Sequence, residues 1–563
     1  MRPILCFLAV FALAQVLQAA IAEPVRLDSG LVAGVAGSDP AVRVFRGIPY
    51  AAPPVGDLRW RAPEPAKPWD GIRKADRFGA ICMQSAFGGP GASAKPPNMS
   101  EDCLFLNVWT AAAAAGERRP VMVWIHPGGY AMGSGSSPDS DGEALAKKGV
   151  VLVTINYRLG AFGFFSHPEL TGESGHHASG NYGFMDQVAA LRWVQKNIAG
   201  FGGDPRRVTV FGDSAGAASI SVLMGSPLAQ GLFQRAVGES GGWMGISLAP
   251  MRTLAEAEQA GVKTAEALDA PTLRELRALP AQDLLRAGRA GGPVIDGWLL
   301  PEDVGAIFAG HKQVDVPLLA GSNKDEGTFF LQATTAAKFT ERARARFGER
   351  AEAFLKLYPA GTDEQANASQ LAAFRDELAF VMRVWVRAQA KAGRSKAFLY
   401  YFTHEPPAPA GATVRGGFGS GATHGAEAQY VFQNLLPPRA WTDLDRQVSG
   451  MLSSYWVNFA ANGDPNGKGL PEWPAYDDRK SDRPMALGDR AEVGPAPDPA
   501  RLAFFQLWYE KQGAQTVISS AALQSRPLAR WGGRAAGPIC TLTGPAGMET
   551  RATRKRANHV HQG

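Results

Sequence analysis

The chain has 563 residues, of which 45% are hydrophobic and 20% charged, with 65 glycines and 40 prolines. A disordered chain has fewer apolar and more charged residues, and this composition also excludes a collagen, a coiled coil or a linker. At roughly 150 residues per domain, the length allows about four domains, or fewer if one large α/β sheet forms the core.

The formal net charge of +6 is located in the C-terminal tail. Segment 515–563 contains seven basic residues and one acidic residue, so the rest of the chain is close to neutral. The tail has no hydrophobic periodicity, which favours solvated disorder over a contact role. A basic protein usually suggests nucleic acid or an anionic membrane as a partner, but charge confined to a tail predicts neither for the folded part.

The N-terminus has the features of an export signal. Arg2 precedes an uninterrupted apolar run over 4–14, and 20–22 supplies the Ala-Ile-Ala pattern that signal peptidase reads. The run is shorter than the roughly 20 residues of a membrane span. We expect cleavage after Ala22 and a soluble secreted or periplasmic protein that begins at Glu23, with an uncleaved anchor as the alternative.

Three cysteines remain once Cys6 is removed with the signal. Cys82 and Cys103 bracket a segment rich in Gly, Ser and Pro, and an exported protein meets an oxidising compartment. We predict a disulfide between them, worth about 3 kcal/mol in the chain-entropy model. Two buried free thiols are the alternative, and Cys540 in the tail has no evident mate.

Apolar runs of strand length alternate with helical patterns along the chain. Runs that are apolar on both faces suit strands buried in a parallel or mixed sheet, with helices as the crossovers. A helix is predicted over 185–201, where apolar residues recur at three- and four-residue spacing. The predicted strands cover 121–125, 150–157, 207–211, 235–238, 316–321 and 398–402.

This alternation predicts one doubly wound α/β core. No linker divides the chain before about residue 510, and no period of 20 to 50 residues repeats. We expect a signal over 1–22, one domain over 23–512 and a basic tail over 513–563. Two Gly/Pro-rich stretches, 86–97 and 405–422, are predicted to be long surface loops.

The segment 212–216, Gly-Asp-Ser-Ala-Gly, follows a predicted strand and precedes a helical pattern. A strand, a tight turn and a helix in this order form a nucleophile elbow, which forces the serine hydroxyl out of the sheet edge. A second match, 238–242, continues as Gly-Gly-Trp-Met-Gly, a poor helix start. We therefore predict Ser214 as the nucleophile and Ser240 as a buried hydroxyl.

A serine nucleophile needs donors for the oxyanion, a base and an acid. The predicted strand 121–125 ends in His126-Pro-Gly-Gly-Tyr130, where Gly128 and Gly129 can bring their N–H groups close to a carbonyl. The Ala215 N–H is a third candidate donor. His126 precedes the serine, against the usual order of such triads, and is interpreted as part of the loop scaffold.

The acid and the base are sought downstream of Ser214. Asp325 and Glu326 offer two adjacent carboxylates after the predicted strand 316–321, and either could orient a base. His404 and His424 both follow in order. His424 is favoured because it lies between a flexible loop and an apolar helix, from which an imidazole could approach the serine.

Several motifs in order give the chain a family resemblance. They are FRGIPYAAPPVGDLRW (45–60), SEDCLFLNVW (100–109), HPGGY (126–130), TINYRLGAFGF (154–164), GNYGFMDQVAALRWVQKNI (180–198), FGDSAG (211–216) and NKDEG (323–327). From about Val25 to about Trp508 the chain resembles the type-B carboxylesterases, the cholinesterase-like branch of the α/β-hydrolases. The resemblance implies a large, mostly parallel central sheet flanked by helices.

The resemblance also implies roles for individual residues. Ser214 matches the nucleophile, Glu326 rather than Asp325 the acid, and His424 the base. The N–H groups of Gly128, Gly129 and Ala215 match the oxyanion hole, and Cys82 pairs with Cys103. Phe329 falls where relatives line the active-site gorge, and Ser240 matches a buried serine near the acid.

Two departures from the family pattern are informative. Pro127 stands where many relatives have a first glycine, and proline lacks the N–H that would donate there. The Cys82–Cys103 segment contains no Trp, which choline-ester hydrolases use to hold a quaternary ammonium. Choline esters are therefore not expected as preferred substrates.

These features predict a secreted serine carboxylesterase that acts on small-molecule esters through an acyl-enzyme. We expect no metal or organic cofactor, since no CxxC pair or His-x-x-x-His spacing occurs. Tyr130, Trp243, Phe329 and Phe330 suggest an apolar pocket, although each could equally be core packing. The alternatives are a specialised hydrolase of one bulky ester, carbamate or lactone, and a catalytically silent binding or adhesion protein.

Overall fold

The computed structural model describes residues 21–84, 98–244, 251–285, 291–392, 394–409, 419–477, 479, 482–494 and 497–511. The apolar run of the predicted signal, the predicted tail with Cys540, the loop predicted at 86–97 and the middle of the loop predicted at 405–422 lie outside these residues. Among the described residues, no helix combines the length and apolar character needed to cross a bilayer.

The strands of the described chain fall into one large sheet and three small ones. In chain order they are β1 (Val25–Arg26), β2 (Leu31–Ala33), β3 (Val35–Ala36), β4 (Arg43–Pro49), β5 (Ile72–Lys74), β6 (Ile81–Cys82), β7 (Met99–Ser100), β8 (Phe105–Thr110), β9 (Arg119–Ile125), β10 (Val151–Ile155), β11 (Gly203–Asp213), β12 (Arg235–Glu239), β13 (Arg252–Thr253), β14 (Val294–Ile295), β15 (Leu318–Asn323), β16 (Ala397–Phe402), β17 (Met485–Leu487) and β18 (Ala491–Val493).

The large sheet has eleven strands in the order β18-β17-β16-β15-β12-β11-β9-β10-β8-β4-β3. The strands from β17 to β10 in this order pair in parallel, and antiparallel pairs lie at both ends. All six predicted strands are present in it, which confirms the predicted mostly parallel α/β core. The smaller sheets are β1-β2-β5, β13-β14 and β6-β7.

Helices connect the parallel strands and cover the sheet. They are α1 (Glu143–Lys147), α2 (Gly160–Gly163), α3 (Pro168–Glu173), α4 (Tyr182–Asn197), α5 (Ala215–Gly225), α6 (Leu254–Ala267), α7 (Leu273–Ala278), α8 (Ala281–Leu284), α9 (Val304–Ala309), α10 (Gly327–Phe330), α11 (Ala336–Phe347), α12 (Ala351–Leu357), α13 (Asp363–Ala392), α14 (Ala426–Phe432), α15 (Asp443–Asn462) and α16 (Pro499–Lys511). The helix predicted over 185–201 is α4 and the 3₁₀ turn Ile198–Phe201 that follows it.

Apolar side chains fill both faces of the sheet. On β9, Val121, Val123 and Ile125 belong to one buried cluster, while Met122 and Trp124 belong to a second cluster. Successive side chains of a strand point to opposite faces, so a central strand must be apolar throughout to fill two cores. The carboxyl ends of the parallel strands β9, β11, β12, β15 and β16 therefore lie at one edge of a doubly covered sheet. The predicted nucleophile, oxyanion glycines and acid follow β11, β9 and β15, and the predicted base follows β16.

Candidate active site

Ser214 occupies the sharp turn between β11 and α5. Its φ and ψ are 55° and −118°, a conformation that costs a non-glycine residue about 1–3 kcal/mol. The Ser214 N–H donates to Glu239 O at 2.7 Å, which ties the turn to the end of β12. The side chain is half-buried, so the turn holds the hydroxyl at the rim of the sheet.

The turn lies against the end of β9. A Cβ on Gly216 would lie 2.0 Å from Ile125 O and 3.2 Å from His126 O, so only glycine fits at this position. This close approach brings the first turn of α5 beside the loop that follows β9. The first N–H groups of a helix have no partner within the helix, and Ala215 is the first residue of α5.

The loop after β9 contains the predicted oxyanion glycines. Gly128 has φ 119° and Gly129 φ 59°, values that favour glycine. A Cβ on Gly128 would lie 2.1 Å from Met132 O, because the loop folds back on itself. Gly128 is half-buried and Gly129 exposed.

His126, which the sequence analysis interpreted as part of the loop scaffold, packs at the start of this loop. Its ring stacks on Tyr157 with centroids 4.3 Å apart, and its Nδ1 lies 2.8 Å from Pro127 O. Burial lowers the pKa of His126 to about 4, so the imidazole is neutral at physiological pH.

Glu326 and His424 form a buried pair. His424 Nδ1 and Glu326 Oε2 are 2.5 Å apart, and the two side chains are 8% and 0% exposed, respectively. The other carboxylate oxygen, Oε1, accepts from Ser240 Oγ at 2.6 Å and from Asn323 N at 2.8 Å. Both oxygens of Glu326 are thus fixed by polar contacts, and the carboxylate holds the imidazole in one orientation.

The remaining candidates for the acid and the base have other partners. Asp325 Oδ2 accepts from the Ala422 N–H at 2.9 Å. His404 lies between two carboxylates, 2.7 Å from Asp489 Oδ1 and 2.9 Å from Asp445 Oδ1, so both of its ring nitrogens are engaged. Of these candidates, Glu326 is therefore the carboxylate that contacts His424, while the contacts described for Asp325 and His404 are with other residues.

His424 lies at the same edge of the sheet as Ser214. A Cβ on the next residue, Gly425, would lie 3.0 Å from Asp213 Oδ2, and Asp213 directly precedes Ser214. His424 Nε2 is buried and has no hydrogen-bond partner among the described residues. With Nδ1 held by Glu326, Nε2 is the nitrogen free to accept a proton.

Three further buried carboxyls surround this pair, and the sequence did not single them out. Glu427 accepts from Tyr400 Oη at 2.9 Å and from Asn323 Nδ2, and Glu239 accepts from Trp456 Nε1 at 2.6 Å. One oxygen each of Asp213 and Glu239 is buried without a partner among the described residues. In the sequence, only their positions could have drawn attention to these carboxyls, because Asp213 lies inside the elbow motif and Glu427 lies three residues after His424.

These charges determine the proton affinity of the imidazole. Burial opposes the charged form of His424, but the carboxylates of Glu326 and Asp213 outweigh it and raise the pKa to about 9. Burial in turn raises the pKa of Asp213 to about 8. Burial thus disfavours the charged form of Asp213, and whenever that charge is present it favours the protonated form of His424.

The predicted pocket residues differ in exposure. Tyr130 is 6% exposed, packs on Phe164 and Phe184 at 5.0 and 5.4 Å, and its Oη accepts from Trp243 Nε1. Phe329 and Phe330 are 53% and 47% exposed, with ring centroids 6.2 and 4.6 Å from that of His424. Tyr130 is thus largely core packing, while the two phenylalanines flank the imidazole.

The predicted disulfide Cys82–Cys103 is present, with Cα atoms 4.9 Å apart. Both residues are buried, and the bond joins the end of β6 to the segment just before β8. Among the described residues, no group of three or more His, Cys, Asp or Glu side chains could hold a metal ion.

Comparison with known proteins gives the family. The model of the carboxylesterase family matches residues 22–505. A fumonisin B1 esterase from Sphingopyxis macrogoltabida is 38% identical over 474 residues, which is 80% of this chain and 84% of that protein. A cocaine esterase from Oryctolagus cuniculus is 37% identical, with 86% of this chain and 96% of that protein covered.

A third relative, carboxylesterase 1D from Rattus norvegicus, is 34% identical over 84% of this chain and 90% of that protein. The matched region contains the whole large sheet and every residue of the candidate site. The family resemblance inferred from the motifs is thereby confirmed. This chain belongs to the carboxylesterase family and has its α/β-hydrolase fold.

Proposed function

We propose that the protein hydrolyses carboxylic esters with Ser214 as nucleophile, His424 as general base and Glu326 as the acid that orients the base. The observation that carries this proposal is the state of His424. Its Nδ1 is held by Glu326, and its buried Nε2 is unbonded at the sheet edge where the elbow holds Ser214. His404 differs, because both of its ring nitrogens lie at hydrogen-bond distance from carboxylates. His126 Nε2 is also buried without a partner among the described residues, but its Nδ1 contacts the Pro127 carbonyl and no carboxylate holds the ring.

The reaction proceeds through two acyl transfers. Ser214 Oγ attacks the ester carbonyl carbon while its proton passes to His424 Nε2. The carbonyl oxygen becomes an anion, which the N–H groups of Gly128, Gly129 and Ala215 stabilise. The C–O bond to the alcohol then breaks, and His424 gives its proton to the departing oxygen.

Water completes the cycle. It loses a proton to His424 Nε2 and attacks the acyl-serine carbon, and collapse of this second intermediate releases the carboxylic acid. The proton on His424 returns to Ser214 Oγ. Throughout, the Glu326 carboxylate holds the imidazole and compensates its positive charge, and its contacts with Ser240 and Asn323 keep it in place.

A burst experiment tests the two-step reaction. On rapid mixing with p-nitrophenyl acetate, the protein should release about one equivalent of p-nitrophenol before a slower steady phase, because the acyl-serine accumulates. A fluorophosphonate probe should label the protein and abolish turnover. Absence of both burst and labelling would favour the alternative of a catalytically silent binding or adhesion protein.

A second candidate is a hydrolase specialised for one bulky natural ester. The observation that favours it is the relative named fumonisin B1 esterase, which shares 38% identity. A substrate panel separates the two: the general esterase should prefer short p-nitrophenyl esters, while the specialised one should reach its highest kcat/KM on fumonisin B1 or a comparably bulky ester, carbamate or lactone.

We also propose that the protein is secreted. The support is the sequence pattern of Arg2, the apolar run over 4–14 and the small residues at 20–22. N-terminal sequencing of the protein recovered from the periplasm or medium of an expressing cell should begin at Glu23. A start at Met1 in the membrane fraction would instead indicate an uncleaved anchor.

A further inference from the structure

A cavity of about 220 Å³, distinct from the candidate active site, lies between the helices α11, α12, α13 and α16. The walls are mostly apolar, since α11 contributes Phe339 and Phe347, α12 contributes Phe354, α13 contributes Phe374 and α16 contributes Phe505. A concave surface with apolar walls and few polar groups is the usual form of a small-molecule site. None of the proposed catalytic residues lines it.

One phenyl ring connects this cavity to the candidate active site. The Phe330 ring lies 4.6 Å from the His424 imidazole and 5.4 Å from the Phe374 ring, which forms part of the cavity wall. Leu331, the residue after Phe330, also lines the cavity. Phe330 is 47% exposed, so one partly exposed ring lies between the imidazole and the cavity wall.

Among the described residues, the rim of the cavity carries one positive charge that pairs with no carboxylate. Of three arginines on α11, Arg346 pairs with Glu377 and Arg344 pairs with Glu352 at 3.2 Å. Arg342 lines the cavity and donates only to uncharged oxygens. Its Nε donates to Lys338 O at 3.3 Å, and its Nη2 donates to Thr334 Oγ1 at 2.5 Å and to Gln370 Oε1 at 3.5 Å. Within the part of the chain that the structure describes, it forms no ion pair with a carboxylate.

We propose that this cavity binds an apolar chain that ends in a carboxylate, with the phenyl rings around the chain and the Arg342 guanidinium on the carboxylate. A guanidinium stays charged and binds carboxylates through charge-assisted hydrogen bonds, and Arg342 Nη1 has no hydrogen-bond partner among the described residues. Arg346 adds no net charge because Glu377 already neutralises it. The cavity therefore presents one net positive charge beside an apolar interior.

Two sources supply this chemistry. One is the remote end of an ester whose carbonyl lies at Ser214, and this case rests on the proposed function. The other is a free fatty acid that binds independently of the reaction. Ester selectivity and fatty-acid binding, measured in the same set of variants, distinguish the ester from the free fatty acid. The variant Arg342→Gln removes the positive charge at the rim.

Arg344→Gln is the matched control, because it removes an equal charge from the same helix without touching the cavity wall. The selectivity test uses two esters with the same ten-carbon acyl chain. Mono-p-nitrophenyl sebacate ends in a carboxylate and p-nitrophenyl decanoate ends in a methyl group, and the test measures the ratio of their kcat/KM values. Arg342→Gln should lower this ratio about tenfold, as for loss of one charged hydrogen bond. Arg344→Gln should leave the ratio as in the wild type.

The binding test titrates laurate into the Ser214→Ala protein by calorimetry. Adding Arg342→Gln should weaken laurate binding about tenfold, and Ala373→Phe, which fills the cavity from α13, should remove it. Thermal unfolding of each variant checks that the fold is kept. Effects of Arg342→Gln on both readouts identify the cavity as a substrate subsite, and an effect on laurate alone identifies a fatty-acid site.

The proposal is overturned if neither readout depends on Arg342, or if Arg344→Gln has the same effect as Arg342→Gln. Failure of the catalytic assignment is a different result. If Ser214→Ala still hydrolyses esters, Ser214 is not the nucleophile, but the laurate titration still reports on the cavity.

Discussion

Two segments of this chain share the pattern Gly-x-Ser-x-Gly, and the structure places their serines in different surroundings. Residues 212–216 and 238–242 end adjacent parallel strands, with Gly212 paired to Gly238 and Asp213 to Glu239. Ser214 and Ser240 both have φ 55°. Each serine N–H donates to a carbonyl at the end of the neighbouring strand in the sheet, Glu239 O at 2.7 Å and Gly321 O at 2.9 Å.

The difference lies in the segment after each turn. Ser214 is followed directly by α5, which leaves its side chain half-buried at the sheet edge. Ser240 is followed by Gly241 and Gly242 without a helix, and its hydroxyl donates to Glu326 Oε1 at 2.6 Å. The same strained turn thus leaves one serine half-buried at the sheet edge and bonds the other to Glu326. The motif alone does not separate these two settings.

The largest expected effect is the loss of the Ser214 hydroxyl. Ser214→Ala should lower kcat for p-nitrophenyl acetate by about a millionfold, since removal of the nucleophile leaves only binding and oxyanion stabilisation. Thermal unfolding should be nearly unchanged because no core packing is removed. Retention of wild-type turnover would show that the reactive serine lies elsewhere.

The two adjacent carboxylates after β15 should differ strongly. Glu326→Gln removes the charge that holds His424 and should lower kcat by about 10⁴-fold, as loss of the orienting acid does in serine proteases. Asp325→Asn keeps an acceptor for the Ala422 N–H and should change kcat by less than about tenfold. Equal losses in the two variants would argue against Glu326 as the orienting acid.

A smaller effect is expected at the second serine. Ser240→Ala removes one of the donors to Glu326 but leaves the Asn323 N–H in place. The loss of one hydrogen bond to a charged group should lower kcat about tenfold, with KM unchanged. A loss as large as that of Ser214→Ala would mean that Ser240 acts in the reaction itself.

The smallest predicted effect is a shift of the pH profile. The base must be neutral to accept the serine proton, so kcat/KM should rise with pH through the pKa of His424, which the neighbouring carboxylates raise to about 9. Asp213→Asn removes one of these charges and should move the acidic limb to lower pH. The control Glu302→Gln, at an exposed carboxylate paired with Lys312, should leave the limb in place. An acidic limb at or below pH 6.5 in the wild type would contradict this electrostatic account.

Much of the fold could be predicted from the sequence because the central strands must be apolar on both faces. Runs such as 121–125 and 398–402 have no polar alternation, and they are the buried strands β9 and β16. The strand, turn and helix order at Ser214 was equally clear in the sequence. The choice of Glu326 over Asp325 needed the family resemblance, since two adjacent acids differ only in the direction of their side chains.

Other features depended on contacts between distant parts of the chain. Glu239, Glu427 and Asp213 come from a strand end, a helix start and the elbow, and all three are buried. Trp456 and Tyr400, which lie far from them in the sequence, donate to Glu239 and Glu427, respectively. For Tyr130 the sequence leaves a pocket residue and core packing equally open, and in the structure its ring packs on Phe164 and Phe184. Such aromatic side chains look the same in a sequence whether they face a core or a pocket.

The identity of the acylated serine tests the central claim most directly. Protein mixed with p-nitrophenyl acetate, quenched in acid during the burst and digested, can be mapped by peptide mass spectrometry. The account predicts one acetyl group on Ser214 in the wild type and in Ser240→Ala, and none in Ser214→Ala. An acetyl group on Ser240, or on any other residue in Ser214→Ala at equal yield, would contradict it.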